Sequence, residues 1–370
     1  MAQLTSLGFV QFLAAAHIFS YQLWSVRVGF FKDNCFQHWA AGWYSFLFAS
    51  EGFRLTYAQL KGPVPEDMGP IGPYLCEKAV RLYPAYLISI ALLAATESVP
   101  WSSAYVNVVP VFTWTGTKAG GWHTAWNGAG WVISDLAFHS VCWRFVYPRL
   151  LLLSEAMCWR VLCASLCFAY IRILAYATGI SVDLVMWAPY TFCHFLCGMC
   201  LAKLFVANGM GITGTRDLLK LEFWPHRFAC SALLSLTAFL LVIIEGPNPN
   251  DLLALAPHAL WLGALMPFHL LLIWALALEE GPLAALCLQP PLAWLGGAAN
   301  AMLVIHWNAV LLAKRYLYLM SSWPLTGKTK FAAVILPTTC AIAVLAHLAV
   351  ERPLQGLKRR RRELLHPKDE

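Results

Sequence analysis

Residues 331–350, FAAVILPTTCAIAVLAHLAV, decide what kind of molecule this is. They contain no Asp, Glu, Lys or Arg, and a hydrocarbon core of about 30 Å takes about 20 such residues to cross as a helix. Just beyond them the chain turns basic, with Lys358, Arg359, Arg360, Arg361 and Arg362 in one run. An apolar span with a basic flank reads as a last membrane helix whose tail stays on the cytoplasmic side.

Comparable spans recur upstream, near residues 4–24, 38–60, 82–98, 130–150, 157–177, 187–207, 227–245, 252–278 and 293–313, which gives about ten in all. Composition agrees: of 370 residues 59% are hydrophobic and only 12% charged, against about 25% charged in a soluble domain. Mean hydropathy is +0.61. An apolar excess of this size excludes a soluble enzyme, a disordered chain and a small disulfide scaffold, and gives no reason to expect a nucleic-acid partner. In lipid every backbone group must bond within its own helix or within a closed barrel, and no alternating strand pattern is present. The expected fold is therefore all-α, a polytopic integral membrane helix bundle. Residues 1–357 form one transmembrane domain and 358–370 a basic cytoplasmic tail. The N-terminus has no basic flank and no cleavage-site pattern, and reads as a retained first helix. Lys and Arg counted over the loops favour a cytoplasmic C-terminus, with Lys61, Lys78, Arg81 and Arg149 on the same side. The twelve cysteines lie mostly in apolar stretches and read as small core residues. The segment 99–129, rich in Trp, is expected to lie at the interface or to dip into the bundle.

Ionisable groups inside spans cost about 2.5–3.5 kcal/mol on insertion scales, so each asks for a partner or a function. Glu51 and Arg54 stand three apart on one helix face, either as a self-neutralising pair or with Arg54 as an anion clamp. His17, among small residues in FLAAAHIFSYQ, is a candidate base, and Asp135 precedes His139 by four residues on one face. His194, His269 and His306 read as core or pore-lining groups. Lys78 and Arg81 lie just ahead of Pro84, which can open the next helix, so charge and helix N-terminal N–H groups would add in holding a phosphate. No metal-ligand set is expected.

Taken together, six stretches resemble the acyltransferase family 3 of polytopic membrane proteins. They are GWYSFLFASEGFRLTYA (42–58), KAVRLYPAYLISI (78–90), NGAGWVISDLAFH (127–139), HFLCGMCLAKL (194–204), LAWLGGAANAMLVIHW (292–307) and LAVERPLQGLKRR (348–360). They fall in that family's order. The resemblance implies a ten-helix acyltransferase that moves an acyl group, commonly acetyl, from acyl-CoA to a hydroxyl of a carbohydrate or lipid-linked acceptor, with no permanently bound cofactor. It implies Lys78 and Arg81, with Arg54, as the CoA-phosphate side. His17 or His139 would serve as base, Asp135 or Glu51 would orient it, and donors near Trp131 and Asn127 would stabilise the oxyanion. The chain departs from the pattern at Gln11 and Gln22, which stand where the family has an Arg and a His. Gln cannot act as a base, so the alternative expectation is a non-catalytic relative that works as a membrane carrier or binding protein.

Overall fold

A computed structural model describes residues 4–25, 39–62, 70–97, 101–103, 107–109, 113–114, 126–177, 187–208, 260, 262–319, 322, 324–354 and 356. Among them the long helices are α1 (Thr5–Ser25), α2 (Trp43–Leu60), α3 (Ile71–Thr96), α4 (Gly130–Leu152), α5 (Glu155–Ala177), α6 (Ala188–Ala207) and α7 (Met266–Ala277). Two short helices follow, α8 (Gly281–Cys287) and α9 (Pro290–Gly297), then α10 (Ala299–Leu319) and α11 (Leu325–Ala346), which runs on into a π-helical turn at His347–Glu351. The described residues contain no strand.

Four of these helices, α3, α5, α6 and α11, are long and apolar enough to cross a membrane, and α9 with α10 makes a fifth if that pair, bent by 66°, counts as one span. Three other predicted spans form helices of 18 to 23 residues, α1, α2 and α4, but fall short on apolarity. These are the helices that carry His17, Glu51, Arg54, Asp135 and His139. Their polarity fits their place: α2 is buried along most of its length, whereas α11 is buried over only 17% of its apolar stretch. The predicted span 227–245 lies outside the described residues, as does most of the first half of 252–278.

Close approach of backbones sets the interior. A Cβ on Gly198 of α6 would run into the Ala49 carbonyl of α2, and one on Gly52 of α2 would run into the Phe195 carbonyl of α6. Glycine at both positions lets the two axes come within backbone contact, as small residues do in membrane bundles. The α1–α9 pair repeats the device, since a Cβ on Gly296 would sit 2.7 Å from the Phe9 amide nitrogen.

Polar ties fix the ends. Lys203 of α6 donates to the carbonyls of Leu150 (2.7 Å), Leu151 (2.9 Å) and Leu153, covering orphan carbonyls at the end of α4. Described parts of the 99–129 segment are drawn inside. Asn127 Nδ2 donates to Ser89 Oγ and the Val304 carbonyl, Ser89 Oγ donates to Asn308, and Asn107 Oδ1 accepts from the Trp126 amide. Trp122 lies outside the described residues.

At the start of α1 the Thr5 amide donates to Glu279 Oε1 (3.0 Å), a carboxylate at a helix N-terminus that satisfies an orphan N–H. Glu279 sits at φ 51°, a left-handed backbone that costs about 1 kcal/mol or more for a non-glycine residue. Burial pushes its carboxyl above the usual range, opposed by the Thr5 amide and the charge of Lys61. A raised carboxylate pKa means that ionisation disfavours the folded state, so stability is fullest at low pH and is reduced as pH rises through the folded pKa. Glu279→Gln keeps an acceptor and removes that penalty. Its thermal midpoint in detergent is expected to lie slightly above wild type at neutral pH and to equal it in acid. A midpoint below wild type at neutral pH would mean that the carboxylate charge itself holds α1.

Candidate functional site

The predicted candidates separate into three groups strung along α2 and α4. The first is basic and aromatic. Glu51 Oε2 accepts from Arg54 Nε (3.1 Å) and Nη2 (2.5 Å), the i,i+3 pair expected from sequence, and also from Arg81 Nη2 of α3 (3.3 Å). Lys78 lies over the rings of Tyr74 (5.2 Å) and Trp143 (5.6 Å), and the Arg144 guanidinium lies 5.9 Å from Tyr74. Tyr74, Trp143 and Tyr147 form a continuous stack whose interplanar angles are 10° and 19°. Tyr74 Oη donates to the Ser140 carbonyl and Trp143 Nε1 to Thr56. Lys78, Arg81, Arg54 and Arg144 thus surround a rigid ring stack, with Glu51 as the countercharge the two arginines share. The side chains of Arg54 and Arg81 keep about a quarter of their surface open.

Two expectations change here. α3 begins at Ile71, so Pro84 lies inside the helix and not at its entrance, and Lys78 and Arg81 project from its second and third turns. Helix-terminal N–H groups are therefore not beside them, and the anion affinity of this group rests on side-chain charge alone. Pro73, in the first turn where its missing N–H leaves no bond unmade, is the proline compatible with helix entry. Glu51, expected as a possible partner of the base, belongs instead to the arginines.

The second group lies nearer the start of α4. Asp135 and His139 are fully buried, as the i,i+4 spacing on one face suggested, but no hydrogen bond joins them directly. Thr191 of α6 stands between: its hydroxyl donates to Asp135 Oδ2 (2.6 Å), and its oxygen lies 3.0 Å from His139 Nε2. That nitrogen also faces the Ala188 carbonyl (3.3 Å), which can only accept. The proton of His139 is therefore on Nε2, and Nδ1 carries a lone pair. Nδ1 and Asp135 Oδ1 are both buried without a hydrogen-bond partner. Rings of Phe48 (5.0 Å), Phe195 (5.2 Å) and Phe192 (5.6 Å) enclose the imidazole. His194 repeats the pattern, its Nε2 on the Leu262 carbonyl (3.2 Å) and its Nδ1 unmatched. Arg172 of α5 donates to the Tyr190 carbonyl (2.9 Å) and to Cys193 Sγ (3.7 Å).

The third group is a set of packed polar contacts. His17 Nδ1 accepts from Trp43 Nε1 (2.9 Å), and Trp43 stacks on His269, which pairs with Ser45. Gln11 donates to Ser50 (2.7 Å) and Gln22 hydrogen-bonds Tyr44, so both glutamines fasten α1 to α2. His306 Nδ1 lies against the Met302 carbonyl. Both donors of the Asn127 amide are engaged by Ser89 and Val304, which removes it as an oxyanion donor.

Sequence reasoning did not reach Thr191, Arg172 or Arg144. An arginine within an apolar run, as in FAYIRILAY (168–176), was the available signal for Arg172. Thr191 gave none. Cys197 and Cys200 form a Cys-x-x-Cys spacing with both thiols buried, but among the described residues no three metal-ligating side chains come together. Gly209, Gly211 and Gly214 make a GxGxxG spacing that follows a helix and not a strand, and so lacks that motif's βαβ context. No family model, no curated protein and no solved structure matches the chain.

Proposed function

We propose that the chain is a ten-span membrane O-acyltransferase that uses acyl-CoA, acetyl-CoA in the first instance, to acylate a hydroxyl of a carbohydrate or lipid-linked acceptor. The observation that supports this reading is the arrangement along α4. Arg144, in the basic and aromatic group, lies five residues from His139 and nine from Asp135, which is about 7 and 14 Å along a helix rising 1.5 Å per residue. A CoA phosphate held by Lys78, Arg81, Arg54 and Arg144 would leave its pantetheine arm to bridge that distance and place the thioester near His139.

In that reading the acceptor oxygen attacks the thioester carbonyl carbon while its proton passes to the His139 Nδ1 lone pair. The C–S bond then breaks, and the departing thiolate takes that proton to leave as CoA thiol. Thr191 and Asp135 act as positioning residues: they hold Nε2 protonated, direct Nδ1 outward, and offset the positive charge that forms on the imidazole. His17 stands second as base because its Nδ1 lone pair already accepts from Trp43.

A second reading, a carrier that binds acyl-CoA without turnover, is favoured by Gln11 and Gln22, whose side chains serve helix packing. The deciding experiment is transfer of labelled acetyl from acetyl-CoA into membrane material by the expressed protein, beside the Lys78→Ala/Arg81→Ala double variant. Transfer by wild type, with KM for acetyl-CoA raised at least tenfold in the double variant, is the expected result, since each lost charge-assisted contact is worth about 1.5–3 kcal/mol. Acyl-CoA binding with no transfer from any donor would establish the carrier reading in its place.

A further inference from the structure

The outer wall of the bundle has a groove that neither group of the proposed catalytic site uses. It runs between α5 and α6, has a volume of about 360 Å³, and is walled by Val161, Ala164 and Phe168 on one side and Phe192, Cys193 and Leu196 on the other. Both helices are long and apolar enough to cross a membrane, and the outward face of α5 around the groove exposes Met157, Trp159 and Ile171. What such a groove meets is hydrocarbon.

Its end is charged. Residues 161, 164, 165, 168 and 172 follow a 3.6-residue period, so Arg172 continues the α5 wall one turn beyond Phe168. There it lies against Tyr190 and Cys193, beside the other wall, and its guanidinium sits 5.5 Å from the Tyr190 ring. This end carries the start of α4 and of α6, where Trp187 Nε1 donates to the Trp114 carbonyl and Trp114 Nε1 to the Ser134 carbonyl. Paired tryptophans at a helix end mark the level of lipid headgroups. The groove therefore joins an apolar channel at acyl-chain depth to a guanidinium at headgroup depth. A guanidinium is matched by a phosphate, and one placed near the end of a span reaches the interface by extending along the apolar surface.

We propose that the α5–α6 groove binds one membrane lipid with an anionic phosphate headgroup, its chain along Ala164 and Phe192 and its phosphate at Arg172. The site does not depend on acyl transfer. It stands at the bundle end opposite the Lys78–Arg81 group, and only Phe192 separates it from the His139 imidazole.

The full chain, reconstituted in phosphatidylcholine vesicles doped with a diazirine-chain phosphatidylglycerol or the matching phosphatidylcholine probe, tests this by photolabelling. Phosphatidylglycerol is expected to label the 187–203 peptide roughly tenfold more than phosphatidylcholine, the effect of one charge-assisted contact. Arg172→Gln should remove that preference and Arg172→Lys retain most of it. Ala164→Trp, at an exposed position, should fill the groove and abolish labelling by either probe. Equal labelling of the wild type by the two probes would overturn the phosphate site without recourse to any variant. Labelling that survives Ala164→Trp would mean ordinary contact with surrounding lipid.

Discussion

His139→Ala is expected to lower acetyl transfer by about 10²- to 10⁴-fold, the usual contribution of a positioned general base, with acyl-CoA binding at Lys78 and Arg81 unchanged. The expectation rests on the unmatched Nδ1 lone pair inside a cage of phenylalanine rings. Thr191 distinguishes a relay from simple packing. Thr191→Val keeps the shape but removes the hydroxyl between Asp135 Oδ2 and His139 Nε2, so kcat should fall and the pH–rate profile should shift, with KM for acetyl-CoA nearly unmoved. Thr191→Ser, which restores the hydroxyl, should recover most of the rate and the original profile. If His139→Ala transfers acetyl at the wild-type rate, the base is elsewhere and His17 is the next residue to replace.

Gly198→Val should have the largest effect on the fold. A branched side chain there meets the Ala49 carbonyl, which is backbone and cannot step aside, and the α2–α6 seam is the most extensive in the described bundle. Overpacking ordinarily costs about 1–3 kcal/mol where side chains can shift, and a clash with backbone exceeds that range. The variant is expected to lose monodisperse protein in detergent or to unfold at a clearly lower temperature. Gly72→Ala is the matched control, because a Cβ at Gly72 meets nothing within 4 Å and the helix gains about 0.5–1 kcal/mol. A Gly198→Val protein as stable as wild type would show that α2 and α6 do not approach along Ala49.

These contrasts show what the sequence could reveal. Long apolar runs disclosed the helices, and the three-residue spacing of Glu51 and Arg54 disclosed their ion pair, because both are properties of a single segment. Arg81 joining that pair depends on how α3 lies against α2, which spacing within one helix does not encode. Asp135 and His139 were placed on one face correctly, yet the group connecting them comes from a helix more than fifty residues further along. The start of α3 was misread because Pro84 looked like an entrance, when the missing amide of a proline can be tolerated within a packed helix. Hydropathy likewise underrates α1, α2 and α4, since helices shielded by other helices need not be apolar on every side. Gln11 and Gln22, which in the sequence signal a lost active site, are in the fold the pins between α1 and α2.

The cap on α1 bears on the order in which the bundle can close. The first helix to leave the ribosome has its first-turn amide satisfied by a carboxylate 274 residues later, and it packs mainly on α9 and α10. Until Glu279 and Gly296 have been synthesised, α1 has neither its cap nor the glycine surface that receives Gly8. Insertion into the bilayer and assembly of the interior are thus separated in time, and the early helices must wait beside one another for the last third of the chain to arrive before the bundle can lock.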